Sequence, residues 1–131
     1  MKNREQIMKK HEKIINPDPT LQHNLMHWGF ECGDGWLEII DTALSKMETL
    51  NLPYDFEIFQ IKEKFGQLRI YTSGNVDEVT YEKLQHIIDD AEMMSAVTCE
   101  LCGEYGKIEN IRGWYTTICE ECKNKREKEV M

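Results

Sequence analysis

Four thiols spaced Cys99-x2-Cys102-x16-Cys119-x2-Cys122 are the part of this 131-residue sequence best equipped for chemistry. Each C-x-x-C turn aims two sulfurs into one small volume, and two such turns complete the tetrahedral four-sulfur shell that zinc accepts. Four thiolates leave no coordination position for water, so the expected role of the ion is structural, with one Zn2+ per chain. Gly103 follows the first pair, where a metal knuckle needs a residue tolerant of positive φ. Two disulfides are the alternative use of four cysteines, and nothing in the sequence suggests the export that would favour them. A redox C-x-x-C would stand beside a βαβ pattern, which is missing here.

Other candidate chemistry is thinner. Cys32 has no mate and reads as a buried, inert thiol. His23 and His27, spaced i, i+4, could join Cys32 in a second metal site, although a fourth ligand is lacking. Glu31, Asp34 and Glu38 could in principle share a magnesium ion, but a solvated cluster with Asp34 capping a helix is the commoner arrangement. There is no phosphate-binding glycine loop, dinucleotide fingerprint or H-E-x-x-H pair. No histidine follows His86, so a nuclease built around the cysteine segment would lack its base. The expectation is a chain that is not an enzyme. For binding, the candidates are Lys62, Lys64, Phe65 and Arg69 around one hairpin, with Arg112 and Trp114 in the cysteine segment. Basic groups interleaved with aromatics suit a protein contact or single-stranded nucleic acid, although a solvated sheet face with inward-packed aromatics is the commoner cause of such a pattern.

The elements that must position these residues follow from periodicity. Residues 3–15 read as a helix with Ile7, Met8, His11, Ile14 and Ile15 on one side, ended by Asn16-Pro17-Asp18-Pro19. Thr20 to Trp28 is a possible short helix, followed by the glycine-rich loop Gly29 to Gly35. A helix then carries Trp36, Leu37, Ile40, Ala43, Leu44, Met47 and Leu50 on a broad apolar stripe, stopped by Asn51-Leu52-Pro53. Residues 55–62, rich in aromatic and β-branched side chains, and residues 67–73, which alternate, read as two strands of a hairpin turning at Glu63-Lys64-Phe65-Gly66. Residues 77–96 form a helix with Leu84, Ile87, Ile88, Ala91 and Met94 on one face. A second hairpin around Asn110-Ile111-Arg112-Gly113 separates the cysteine pairs, and strong helix formers follow Glu120.

The expected fold class is therefore α+β: helices packed on a β-hairpin, with a small C-terminal zinc module. The division is an acidic body over residues 1–98 and a four-cysteine module over 99–131, packed on the body because no linker separates them. Knuckle, hairpin and C-x-x-C entering a helix is the treble-clef order; a zinc ribbon is the alternative.

Charge narrows the functional classes. The net charge is −8, and residues 1–13 sum to +3, residues 14–98 to −10 and residues 99–131 to −1. An acidic body counts against general affinity for nucleic acid and fits a basic partner, although it also serves solubility. No apolar run approaches the ~20 residues needed to span a bilayer. The first residues lack the apolar stretch of a signal peptide, so the expected location is the cytoplasm.

In order along the chain come Trp28-Gly29-Phe30-Glu31-Cys32-Gly33-Asp34-Gly35-Trp36 and Ile61-Lys62-Glu63-Lys64-Phe65-Gly66-Gln67-Leu68-Arg69-Ile70-Tyr71. Ala91-Glu92, Ser95, Thr98-Cys99-Glu100-Leu101-Cys102-Gly103 and Arg112-Gly113-Trp114-Tyr115-Thr116-Thr117-Ile118-Cys119 follow. Over residues 28–122 this combination resembles a family of small proteins encoded by bacteriophages, prophages and bacteria. The resemblance implies a metal-bound C-terminal segment and a setting inside a bacterial cell. By analogy with phage proteins of this size, it implies an inhibitor or accessory factor acting on a host or defence protein. The expected function is thus a non-enzymatic, zinc-stabilised protein-interaction module. The alternatives are a nucleic-acid-binding regulator using the hairpin and the C-terminal helix and, behind it, a metal-dependent hydrolase.

Overall fold

The computed structural model describes residues 3–15 and 25–129. Its elements are helices α1 (Arg4–Lys10), α2 (Glu12–Ile15) and α3 (Leu37–Met47), strands β1 (Glu57–Lys64) and β2 (Gln67–Ser73), and helix α4 (Glu78–Ser95). Strands β3 (Lys107–Ile111) and β4 (Trp114–Ile118) and helix α5 (Glu120–Glu129) complete the chain. The class is α+β, with two separate two-stranded antiparallel sheets, β1–β2 and β3–β4. Among the described residues no helix is long and apolar enough to cross a membrane.

Periodicity places most of this correctly. The α3 stripe buries Leu37, Ile40, Ala43, Leu44 and Met47, with α4 and α1 packed on the helix and Trp36 fully enclosed at its head. In β2, Leu68 and Ile70 face the core while Arg69 and Tyr71 face outward. Helix α4 starts at the Asp77 cap, whose carboxylate accepts from the Thr80 amide at 2.8 Å, and packs on β2 and α3. Both hairpins turn on two residues of positive φ, Phe65 (53°) with Gly66 (83°) and Arg112 (53°) with Gly113 (89°). That pairing of left-handed residues matches the twist of antiparallel strands. Between Ile58 and Gln60 the β1–β2 register slips by one residue, a bulge at Phe59.

Three local expectations are corrected by long-range contacts. The helix expected over 3–15 breaks at His11, which ends α1. The His11 ring is fully buried, with Nε2 2.7 Å from Asp41 Oδ1 and Nδ1 against a Glu48 carboxylate oxygen. Lys10 Nζ lies 3.1 Å from the same Asp41 oxygen, so a buried polar cluster ties α1 to α3. Second, Asp34 does not cap the helix after it: Gly33 takes the cap position, and Asp34 pairs with Arg4 Nε at 2.7 Å. Third, Met94, on the apolar face of α4, is 54% exposed, because α3 and the first sheet cover only part of that face. Residues 20–24 of the possible short helix lie outside the described residues, and Leu25–Trp28 form a 3-10 turn.

Candidate metal centre

The cysteine segment begins where α4 ends. Cys99 accepts at its carbonyl from the Gly103 amide (2.9 Å) and donates its own amide to the Glu104 carbonyl (2.7 Å). This tight turn carries Cys99 and Cys102, with Gly103 at φ 86° closing it. Strands β3 and β4 return the chain to Cys119, and Cys122 lies on the first turn of α5, its amide 3.4 Å from Cys119 Sγ. All four sulfurs lie within 4.8 Å of one another, and Cys102 and Cys119 are 3.6 Å apart. Metal–sulfur bonds of ~2.3 Å in a tetrahedron set sulfurs about 3.8 Å apart, so these four residues fit one ion. None of the cysteines is in a disulfide.

Protonation is uneven across the cluster. Burial pushes the Cys99 thiol up, but the amides of Cys119, Cys102 and Leu101 and the neighbouring Cys102 thiol outweigh it, bringing Cys99 down to about 7. Cys122 is pushed well above the thiol range, by burial first and then by the other three cysteines. Four sulfurs this close cannot all ionise without a cation among them, and metal binding therefore releases protons.

The centre is built into the body through backbone contacts. The Gly35 amide donates to the Glu100 carbonyl (2.7 Å), the Gly33 amide to Glu100 Oε2 (2.9 Å), and Trp36 Nε1 to the Thr98 carbonyl (2.8 Å). A Cβ at Gly35 would lie 2.1 Å from the Cys99 carbonyl oxygen, so only glycine permits this approach. On the other side the first hairpin docks: Thr117 Oγ1 donates to the Gly66 carbonyl at 2.6 Å, and the Gly66 Cα faces the Tyr115–Thr116 backbone. The Gly-Asp-Gly loop, read from sequence as a helix cap, is thus the seat of the first cysteine turn. Two glycines one residue apart were the only sequence signal for it.

The acidic candidates separate. Glu31 Oε1 accepts from Gln60, Asp34 pairs with Arg4, and these two do not join Glu38 around a common point; among the described residues the four cysteines are the sole group placed to share a metal ion. His23 lies outside the described residues, and His27 stacks beside Trp28, 4.8 Å between ring centroids. Cys32 is half-buried and its thiol is pushed up to about 12, by burial first and then by Glu100, Asp34 and Glu63 against the opposing Arg4, which fits the inert-thiol reading.

Of the proposed binding residues, Arg69 is held by Glu92 on α4, and Lys62 is half-buried in β1, where its strand pairs with Glu31. Lys64, Phe65, Arg112 and Trp114 are exposed at the hairpin tips, Phe65 by 68% and Trp114 by 76%. Comparison with family models, curated proteins and solved structures returns no match for this chain.

Proposed function

We propose that this chain is a non-enzymatic, zinc-stabilised module that acts by binding another protein. The observation that carries the reading is the exposure of Phe65 on the first hairpin turn and of Trp114 at the head of β4, the strand whose Tyr115–Thr116 backbone Gly66 meets. Aromatic and arginine side chains standing in solvent on rigid hairpins are the kind of group that anchors protein interfaces. Lys64, Phe65, Arg112 and Trp114 form the contact surface, with Lys62 and Arg69 behind it. Four soft thiolates in a tetrahedron favour zinc, and the filled shell suits a structural ion rather than a hydrolytic one. Knuckle, hairpin and helix in this order fit a treble clef better than a ribbon, in which both cysteine pairs would sit on knuckles. On the resemblance to phage and prophage proteins, the partner is a host or defence protein inside a bacterial cell.

Two measurements test this. Metal analysis of reduced, purified protein is expected to find stoichiometric zinc, and a metal-free folded protein overturns the metal half. Affinity capture from bacterial lysate is expected to return a partner that Phe65→Ala or Trp114→Ala loses without loss of metal; no partner at any salt concentration overturns the binding half.

One observation favours a second reading. Lys64 Nζ lies 5.8 Å from the Phe65 ring centroid, and Arg112 flanks Trp114, a cation-and-aromatic pairing that also suits single-stranded nucleic acid. A complex with DNA or RNA that weakens steeply with salt would support it over the first.

A further inference from the structure

Helices α3 and α4 do not close on each other along their outer edge. Between them runs an open groove of about 170 Å³. Its floor is Ala43 and Ala91, both buried, and its walls are Ile39, Ile87 and the exposed Met94. Small residues below and larger aliphatic ones at the sides leave a hole of the kind into which a third helix inserts a side chain. The wall residues of α4, at 87, 90, 91 and 94, repeat at i, i+3, i+4, i+7 and offer two turns of contact. Methionine at the lip can adapt its shape to what enters.

The charged groups on the groove are Glu38 and Asp90, with Lys46 toward the end of α3. Around them α4 carries Glu78, Glu82, Asp89 and Glu92 against Lys83, and Glu92 is taken up by Arg69. We propose that this groove receives a cationic amphipathic helix of a partner protein, its apolar side chains over Ala43 and Ala91 and its lysines or arginines toward Glu38 and Asp90. The acidic body draws such a helix in at long range, and the aliphatic walls hold it at short range. A second copy of this chain is a poor occupant: its most basic described helix, α1, already buries Ile7 in its own core, and α5, with four basic and four acidic residues, offers no aliphatic side chain to insert. The inference rests on the reading of the chain as a protein-binding module and gives that module a second face.

The test uses the full chain, metal-loaded, with labelled isoleucine and methionine methyls. The probe is a synthetic leucine–lysine amphipathic helix, beside a peptide of the same composition shuffled to abolish the apolar face. Saturable shifts at Ile39, Ile87 and Met94 with the first peptide alone are the expected result. Asp90→Lys should weaken that binding by about five-fold, the worth of a well-placed surface charge pair. Equal binding of both peptides, shifts spread over the acidic surface or centred on Phe65 and Trp114, or no binding overturns the proposal. A lysate partner that depends on Trp114 while the groove methyls stay silent would sink the groove and leave the proposed function standing.

Discussion

From Ile7 to Ala91 the chain encloses Trp36 within a continuous cluster of aliphatic and aromatic side chains. From Cys99 onward, the large aliphatic side chain buried among the described residues is Ile118, while Trp114 and Tyr105 stand largely in solvent and Leu101 is partly exposed. Burying one isoleucine contributes about 2–3 kcal/mol, whereas ordering a residue costs about 1–2 kcal/mol in backbone entropy alone. The first region can fold on burial; the second, on the function proposed above, depends on a metal and a seat. Small segments of this kind are organised by a few strong, localised links, and each link can be cut separately.

The largest effect expected is metal removal. A chelator under reducing conditions should melt residues 99–129 while α3, α4 and the first hairpin keep their amide protection, because apparent zinc-binding energies of about 10–16 kcal/mol are folding energy in such sites. Hydrogen exchange resolves the two regions, and uniform loss or uniform survival would erase the contrast drawn above. Next is His11→Ala, which leaves the buried Asp41 without its 2.7 Å ring partner. Removing one partner of a buried carboxylate costs about 3–5 kcal/mol, read as a lower denaturation midpoint with metal content unchanged. Gly35→Ala should follow at about 3 kcal/mol, the upper end of overpacking, since its new methyl collides with the Cys99 carbonyl; here metal affinity should fall together with stability. Thr117→Val removes the hydroxyl that bonds Gly66, at about 1 kcal/mol, and should loosen the Phe65 turn in exchange experiments.

The smallest effect concerns pH. The Thr80 amide and hydroxyl hold the Asp77 carboxyl below its usual value. A depressed carboxyl stabilises the folded form above the unfolded-state value, and the contribution is lost as pH falls through the folded one. Acid titration followed by α4 helicity should therefore show an extra loss below about pH 4. Asp77→Ala should abolish that step and leave the cysteine segment untouched.

Local signals in the sequence reached far in some places. The cysteine spacing, both turn glycines, the α3 stripe and the start of α4 depend on neighbours within a turn or two, and each is where the residues suggested. What escaped depends on partners far along the chain. Nothing near His11 announces Asp41 and Glu48, thirty and thirty-seven residues on. A polar residue at an apolar position in a helix repeat was the only trace of that cluster. Asp34 has the type and place of a cap, yet Arg4 claims it from the N-terminal helix. Periodicity identified the apolar face of α4 but could not say how much of it a neighbour covers, which is why Met94 is outside. Likewise Arg69 looked like a free cation until Glu92 was placed beside it.

The seat formed by Gly33, Gly35 and Trp36 has a consequence for how this architecture can change. Many metal fingers behave as portable cassettes, cut at a linker and joined to new hosts. Here the first cysteine turn is pressed backbone to backbone against a loop more than sixty residues earlier, with the Gly35 amide on the Glu100 carbonyl. Transplanting the cysteines without that loop would move the ligands and leave behind the surface that shapes them, so the two stretches must be inherited, or engineered, as one part.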